Sequence, residues 1–226
     1  MRGIYATLLA LSEIGFDSLY LDAQGIQHAK TSVEEEEDRE KRLRELYETV
    51  ERERKCILYE GASGYVFGEG NPYSLVLFVG EAPGEEEDQQ KRPFVGRAGR
   101  YLNQKLEEVG LKREEVYITN VVKSRPPGNR KPTPKEMQSC LPYLKKEVEI
   151  IKPRLIVCLG STALEGILGK NLQVTKHRGQ LFDYPYNRNI KVLLTYHPAY
   201  ILRNPNAERE FVEDLKRVKQ LLSTFQ

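Results

Sequence analysis

The sequence predicts an α/β fold: a three-layer αβα arrangement around a central, mainly parallel four-stranded sheet. Two observations lead there. Residues 75–79, 116–122, 153–159 and 191–196 are short runs, apolar almost throughout, with no polar alternation. That is the pattern of strands buried on both faces. Between them lie stretches with apolar residues at three- and four-residue spacing, so strand and helix alternate as parallel crossovers require.

At 226 residues the chain suffices for one domain with a good core and a small appendage. The boundary is expected at residue 33, with residues 1–32 as an extension to a domain spanning 33–226. No stretch is apolar and long enough to span a membrane. The N-terminal apolar run is interrupted by Glu13 and followed by no small-residue cleavage site, so an intracellular protein is expected. Three scattered cysteines do not make a secreted disulfide scaffold. A composition rich in Tyr, Glu, Lys and Arg, without Trp, leans towards a thermophile.

Net charge is only +2 and mean hydropathy −0.56, so bulk composition does not announce a nucleic-acid binder. The distribution is uneven. Residues 112–135 carry seven bases against two acids, and residues 33–55 ten acids against seven bases. A basic patch on a nearly neutral chain suits a local polyanion contact, or is an ordinary solvated surface.

Taken in order, residues 1–32 hold scattered apolar groups broken by Gly15, Asp22 and Gly25, and fit either a short helix with a docked tail or partial disorder. His28 in this segment reads as a surface histidine. Residues 34–55 read as a charged helix with one narrow stripe, Leu43, Leu46, Tyr47 and Val50. An irregular glycine-rich loop around Tyr65 to Phe67 leads into the first strand, which stops at Gly80. Glu81 follows at once, and Pro83-Gly84 forces a turn. Leu102, Leu106 and Val109 mark a helix ended by Gly110.

The second strand carries Asn120, a polar amide that must find partners or cost stability. A basic, proline-rich loop follows. Thr133-Pro134-Lys135-Glu136 is a capping box that starts a helix bearing Cys140, and Pro142 is expected to kink or restart it. The third strand contains Cys158, most simply a core residue, and ends at Gly160, with Ser161 expected to cap the next helix. The fourth strand is followed by His197-Pro198-Ala199-Tyr200 and Arg203. A last helix carries Phe211, Leu215, Val218 and Leu222.

Four groups thus fall at or near the carboxyl ends of the strands, where open α/β sheets place ligand chemistry: Glu81, Phe94, Asn120 and His197. Singly, each has a plain reading: Phe94 as a core plug beneath its loop, Asn120 as a loop-bracing amide. Together they offer an acid, a flat stacking surface, an amide and an imidazole, a set suited to recognising a planar heterocycle and doing acid–base or electrostatic work on it. The basic loop leaves the same edge as Asn120, where a phosphate backbone could lie.

Five ordered motifs carry a resemblance: Gly-Glu-Ala-Pro-Gly (80–84), Arg-Pro-Phe-Val-Gly-Arg-Ala-Gly (92–99), Tyr-Ile-Thr-Asn-Val-Val-Lys (117–123), Arg-Pro-Pro-Gly-Asn-Arg (125–130) and Tyr-His-Pro-Ala-Tyr-Ile-Leu-Arg-Asn-Pro (196–205). From about residue 43 to its end the chain resembles the family 4 uracil-DNA glycosylases. The resemblance implies a DNA repair enzyme that flips uracil out of DNA and hydrolyses its N-glycosidic bond. Phe94 would stack on uracil, Asn120 would pair with its polar edge beside Gly80, and His197 would stabilise charge on O2. Glu81 is the first candidate to position water or balance the sugar cation, and Glu87 the second. Pro83, Gly84, Pro198 and Arg203 would pinch the phosphates, with Lys123 and Arg125 nearby.

The family also implies a [4Fe–4S] cluster on four cysteines. Here Cys56 and Cys140 match the second and fourth ligand positions, while Glu53 and Ser124 stand at the first and third. Two thiolates do not meet the four-cysteine requirement, and zinc fares no better, so no cofactor is expected. Cys56 and Cys140 would lie near each other, either as a disulfide or simply packed. Uracil-containing DNA is the expected partner, no sliding-clamp motif is visible, and protein partners stay open. Loss of the cluster leaves two other readings: a nucleic-acid-binding paralogue with little activity, or a small-nucleotide hydrolase using Glu81 and His197. The intact set of four residues counts against the first, and the basic loop with Arg203 against the second.

Overall fold

The computed structural model describes residues 39–225, and Leu43–Gln226 forms one compact unit. The expectations for residues 1–32, His28 included, lie outside the described residues. Residues 39–53 are helical (α1). The elements that follow are β1 (Glu69–Gly70), β2 (Val76–Gly80), α2 (Glu85–Gln90), α3 (Arg97–Glu108), β3 (Tyr117–Asn120), α4 (Pro134–Ile151), β4 (Leu155–Leu159), α5 (Ser161–Leu168), α6 (Val174–His177), β5 (Leu181–Tyr184), β6 (Asn187–Thr195), α7 (Pro198–Arg203) and α8 (Glu208–Thr224).

The sheet has six strands in the order β1-β3-β2-β4-β6-β5. Its centre is the expected parallel quartet, β3-β2-β4-β6, with Gly80 level with Asn120 and Val79 level with Cys158. Two antiparallel edge strands were not expected. The two-residue β1 borders β3, and β5 forms a hairpin with β6. β1 is only two residues long, and β5 is largely solvent-exposed and interrupted by Asp183, so neither shows the continuous apolar signal that marks the interior strands.

That signal has a direct structural cause. Leu77 and Val79 of β2 point into one core with Val148 and Ile151 of α4 and Leu164 of α5. Val76 and Phe78 point into the other with Leu102 and Leu106 of α3 and Phe211 and Leu215 of α8. Every position of β2, β3 and β4 is therefore inside. Full burial of one such side chain stabilises the fold by about 1.5–3 kcal/mol.

Of the two outcomes expected at Pro142, a restart does not occur, and the Ser161 cap is corrected. The helix α4 runs from Pro134 to Ile151 without restarting at Pro142. Pro142 lies on the exposed face, where water can serve the carbonyl that loses its partner. Helix α5 is capped by Gly160, whose φ of 95° suits only glycine, so Ser161 is its first helical residue. The Thr133 box forms as expected. Thr133 Oγ1 accepts the Glu136 amide at 3.3 Å, and a Glu136 carboxylate oxygen accepts the Thr133 amide at 2.7 Å.

Candidate active site

The chain leaves β2 for β3 on one side and then crosses to β4 on the other. The crevice opens at the carboxyl ends of these strands, where that reversal leaves room. It is a cleft of about 890 Å³ whose walls include Glu81, Phe94, Asn120, Gly160, His197 and Arg203. The four residues expected at the strand ends thus share one cavity.

Gly80 makes their convergence possible. A Cβ there would overlap both Asn120 Oδ1 and the Phe94 ring. Phe94 itself is buried and holds a φ of 53°, a left-handed conformation costly for a residue of this size. Its loop is held from two sides. Glu87 accepts the amides of Val95 and Gly96 at 2.9 and 2.7 Å. Arg113 donates to the carbonyls of Phe94 and Pro93 at 3.1 and 2.5 Å, and to Asn103 at 2.9 Å. Gly99 completes the fit, because a Cβ would strike the Phe94 carbonyl.

His197 caps α7. Its Nδ1 accepts the Ala199 amide at 3.1 Å, which leaves the ring proton of the neutral form on Nε2. Burial, helped by the Arg203 guanidinium, pushes its pKa down to about 4, so the ring is neutral at physiological pH. The Phe94 and His197 rings lie 5.8 Å apart, centre to centre. Asn120 is buried, and its Oδ1 has no hydrogen-bond partner among the described residues. A buried amide oxygen without a partner is uncommon, and here it lies beside the Phe94 ring on the cleft wall.

The remaining candidates separate. Glu81 lines the cleft half-buried, without a side-chain partner among the described residues. Glu87 also borders it, but its carboxylate is engaged by the Phe94 loop. Pro83 and Gly84 form the turn after β2, with Gly84 capping α2. Pro198 is buried at the first position of α7, and Arg203 is exposed on the cleft wall. Arg125 is half-buried, bonded to Asn129 at 2.7 Å and 3.6 Å from Glu85.

Lys123 departs from expectation. It is wholly buried with its ammonium 2.6 Å from Glu147, so it presents no charge to a phosphate. Arg113, and Arg97 on the cleft wall, were not singled out in the sequence. Both sit in generally charged stretches, and nothing local marks a clamp.

Two of the four family cluster positions are bonded to each other. Cys56 and Cys140 form a disulfide with Cα atoms 5.2 Å apart. Glu53 is exposed and pairs with Lys55 at 3.1 Å. Ser124 is buried, and its hydroxyl has no partner among the described residues. Both cysteine sulfurs are consumed, and the other two side chains are oxygen donors. This set does not fit an iron–sulfur cluster. Cys158, the third cysteine, is buried in the core, where desolvation pushes its thiol pKa far up.

Residues 67–218 match the model of the uracil DNA glycosylase superfamily. A type-4 uracil-DNA glycosylase of Thermotoga maritima is 46% identical over 187 residues, 81% of this chain and 96% of that protein. One from Sulfurisphaera tokodaii is 44% identical over 188 residues, 80% and 86% of the two chains. One from Archaeoglobus fulgidus is 42% identical over 173 residues, 74% and 87%. No helix among the described residues is long and apolar enough to cross a membrane.

Proposed function

The chain belongs to the uracil DNA glycosylase superfamily, alongside its type-4 members, and from that premise we propose how its cleft excises uracil from DNA. The base swings out of the duplex and lies against Phe94. Asn120 Oδ1 accepts from uracil N3–H while its amide nitrogen donates to O4. Cytosine presents the opposite pattern, a bare N3 and an amino group, so the same amide rejects it by leaving buried groups unmatched. Gly80 keeps the floor open for both side chains.

As the C1′–N1 bond breaks, its electron pair moves onto the uracil ring and negative charge reaches O2. The neutral His197 donates Nε2–H to that oxygen. A donor fixed in advance at a developing charge can supply about 3 kcal/mol. Glu81 positions the attacking water or balances the cationic sugar. Water adds to C1′ and leaves an abasic site, the first step of base excision repair. Glu87, the second catalytic candidate, is read instead as the brace of the stacking loop. Arg203, with Pro83, Gly84 and Pro198, pinches the phosphates of the flipped nucleotide, and Arg125 stands nearby. The enzyme acts on uracil-containing DNA inside the cell and works without an iron–sulfur cluster, a reading supported by the two cysteines bonded to each other. Its domain begins near residue 33, with residues 1–32 outside it.

The observation that carries this reading is the open Oδ1 of buried Asn120, set beside a stacking ring and a neutral imidazole. Single-turnover cleavage of a uracil-containing oligonucleotide, developed with hot alkali, tests it. Wild type should cleave, and Asn120→Ala and His197→Ala should each fall by about a hundredfold or more. Binding without cleavage by the wild type would make the chain a binding paralogue.

A further inference from the structure

Beneath the cleft lies a buried polar network that the chemistry above does not use. Lys123 Nζ has three donors and spends all three: on Glu147 Oε2 at 2.6 Å, Thr119 Oγ1 at 2.6 Å and the backbone carbonyl of Asn120 at 2.8 Å. Glu147, from the C-terminal part of α4, also accepts from Thr119 Oγ1 at 3.1 Å and from Tyr47 at 2.9 Å. The Tyr47 and Tyr117 hydroxyls lie 2.5 Å apart. Lys123, Thr119 and Glu147 are each essentially without solvent exposure.

The position of this network matters. Strand β3 ends at Asn120, and its outer neighbour β1 reaches only Ile118 and Tyr117. The Asn120 carbonyl has therefore outrun its strand partner on that side. Thr119 and Asn120 point to opposite faces of the sheet, as successive strand residues must. Lys123 thus reaches back along the strand, bonding Thr119 on the face opposite the Asn120 side chain and donating to the carbonyl of Asn120 itself. A buried ion pair is seldom kept for net stability, since apolar replacements of similar volume are often as stable. Two of the Lys123 bonds fall on the last two residues of β3, Thr119 and Asn120, and the third anchors the ammonium to Glu147; together they supply something else, a restrained peptide at Asn120.

We propose that Lys123, held by Glu147, is a positioning residue for base recognition: it fixes the Asn120 peptide so that the amide meets the uracil edge in register. This rests on the reading of Asn120 as the base-reading group.

The test compares wild type, Asn120→Ala, the double variant Lys123→Met/Glu147→Met, and the triple combination. Removing both charges together avoids stranding a buried ion. In the folded double variant, single-turnover cleavage should drop about tenfold or more, as expected when a recognition group is misplaced. Inhibition by free uracil should weaken by a similar factor, while affinity for an abasic-site duplex stays within about twofold. A purely structural role would not separate those two affinities. In the Asn120→Ala background the same pair of changes should cost no more than about twofold further. A double variant with wild-type rate and wild-type uracil inhibition overturns the proposal, and so does an undiminished loss in the Asn120→Ala background. Wild-type cleavage by Asn120→Ala alone would sink the reading of Asn120 and this proposal with it. If the double variant melts below assay temperature, Lys123→Gln/Glu147→Gln, which removes both charges while keeping hydrogen-bonding groups at both positions, is read by the same two affinities with the same criteria.

Discussion

Glu87, seven residues past the end of β2, accepts the Gly96 amide at 2.7 Å, and this contact bears on the loop that carries Phe94. The same oxygen takes the Val95 amide, and between them these bonds close the loop that keeps Phe94 at positive φ. Such a conformation costs on the order of 1–3 kcal/mol and persists only when its surroundings enforce it. Glu87→Ala should therefore lower stability by about 1–3 kcal/mol and weaken inhibition by free uracil, because the ring relaxes. Glu81→Gln should do the reverse: a cleavage rate down by about a hundredfold with an unchanged melt. A Glu87 variant that slows cleavage while keeping both the melt and uracil inhibition would return Glu87 to the chemical step.

His197 should set the pH behaviour. Its pKa stands at about 4 in the fold against 6.5 for a free imidazole, because the cleft desolvates it and Arg203 lies near. Cleavage should then show no inflection near pH 6.5 and should decline only towards pH 4. The sign for stability follows from the same depression. Below 6.5 the unfolded chain takes up a proton that the folded chain refuses, so this contribution is whole above pH 6.5 and is lost as pH falls to about 4. A pH–rate profile with parallel melts checks both, and ¹⁵N shifts of His197 should report a neutral ring protonated at Nε2 at pH 7. A rate that halves near pH 6.5 would mean a charged imidazole in the working state.

The parallel quartet and the convergence of Glu81, Phe94, Asn120 and His197 were legible in the sequence because both rest on local signals. Doubly buried strands are apolar throughout, and strand ends are where such sheets put chemistry. Lys123 was misread for the complementary reason. A lysine in a basic, proline-rich stretch looks solvated, and its partner Glu147 lies 24 residues away on a helix that reads as ordinary. Arg113 was invisible in the same way, since its role is to carbonyls 19 and 20 residues earlier. Long-range polar pairing leaves no periodic trace. The edge strands escaped because partly solvated edges have no need to be apolar.

Gly80 offers a sharp test of how tightly the cleft floor is fitted. A methyl group there would overlap Asn120 Oδ1 and the Phe94 ring together. Gly80 has an ordinary negative φ, so Gly80→Ala is not penalised by backbone conformation and acts only through this clash. Strain of about 1–3 kcal/mol is expected. The larger effect should fall on uracil excision, about a hundredfold, because both recognition groups are displaced together. Thermal melts and single-turnover rates on the same preparation separate the two effects. An active Gly80→Ala enzyme would mean that Phe94 and Asn120 adapt freely.

The Cys56–Cys140 disulfide joins the segment after α1 to α4 across a sequence separation of 84 residues. Closing so long a loop in the unfolded chain should stabilise the fold by up to about 4.5 kcal/mol on the chain-entropy account. Both cysteines lie in the core that packs α1 and α4 against the sheet, on the face of β3 that bears Tyr117 rather than Asn120. Reduction should therefore lower the melting temperature by roughly 10 °C while leaving the uracil pocket assembled at lower temperature. Cys140→Ser should behave as the reduced wild type and become insensitive to reductant. Melts and cleavage rates with and without dithiothreitol decide it. If the reductant abolished cleavage at a temperature where the protein remained folded, the disulfide would be shaping the cleft as well as stabilising the fold. If instead the melt were unmoved and two titratable thiols appeared in the native protein, the cysteines would be merely neighbours and the fold would owe its stability here to packing alone.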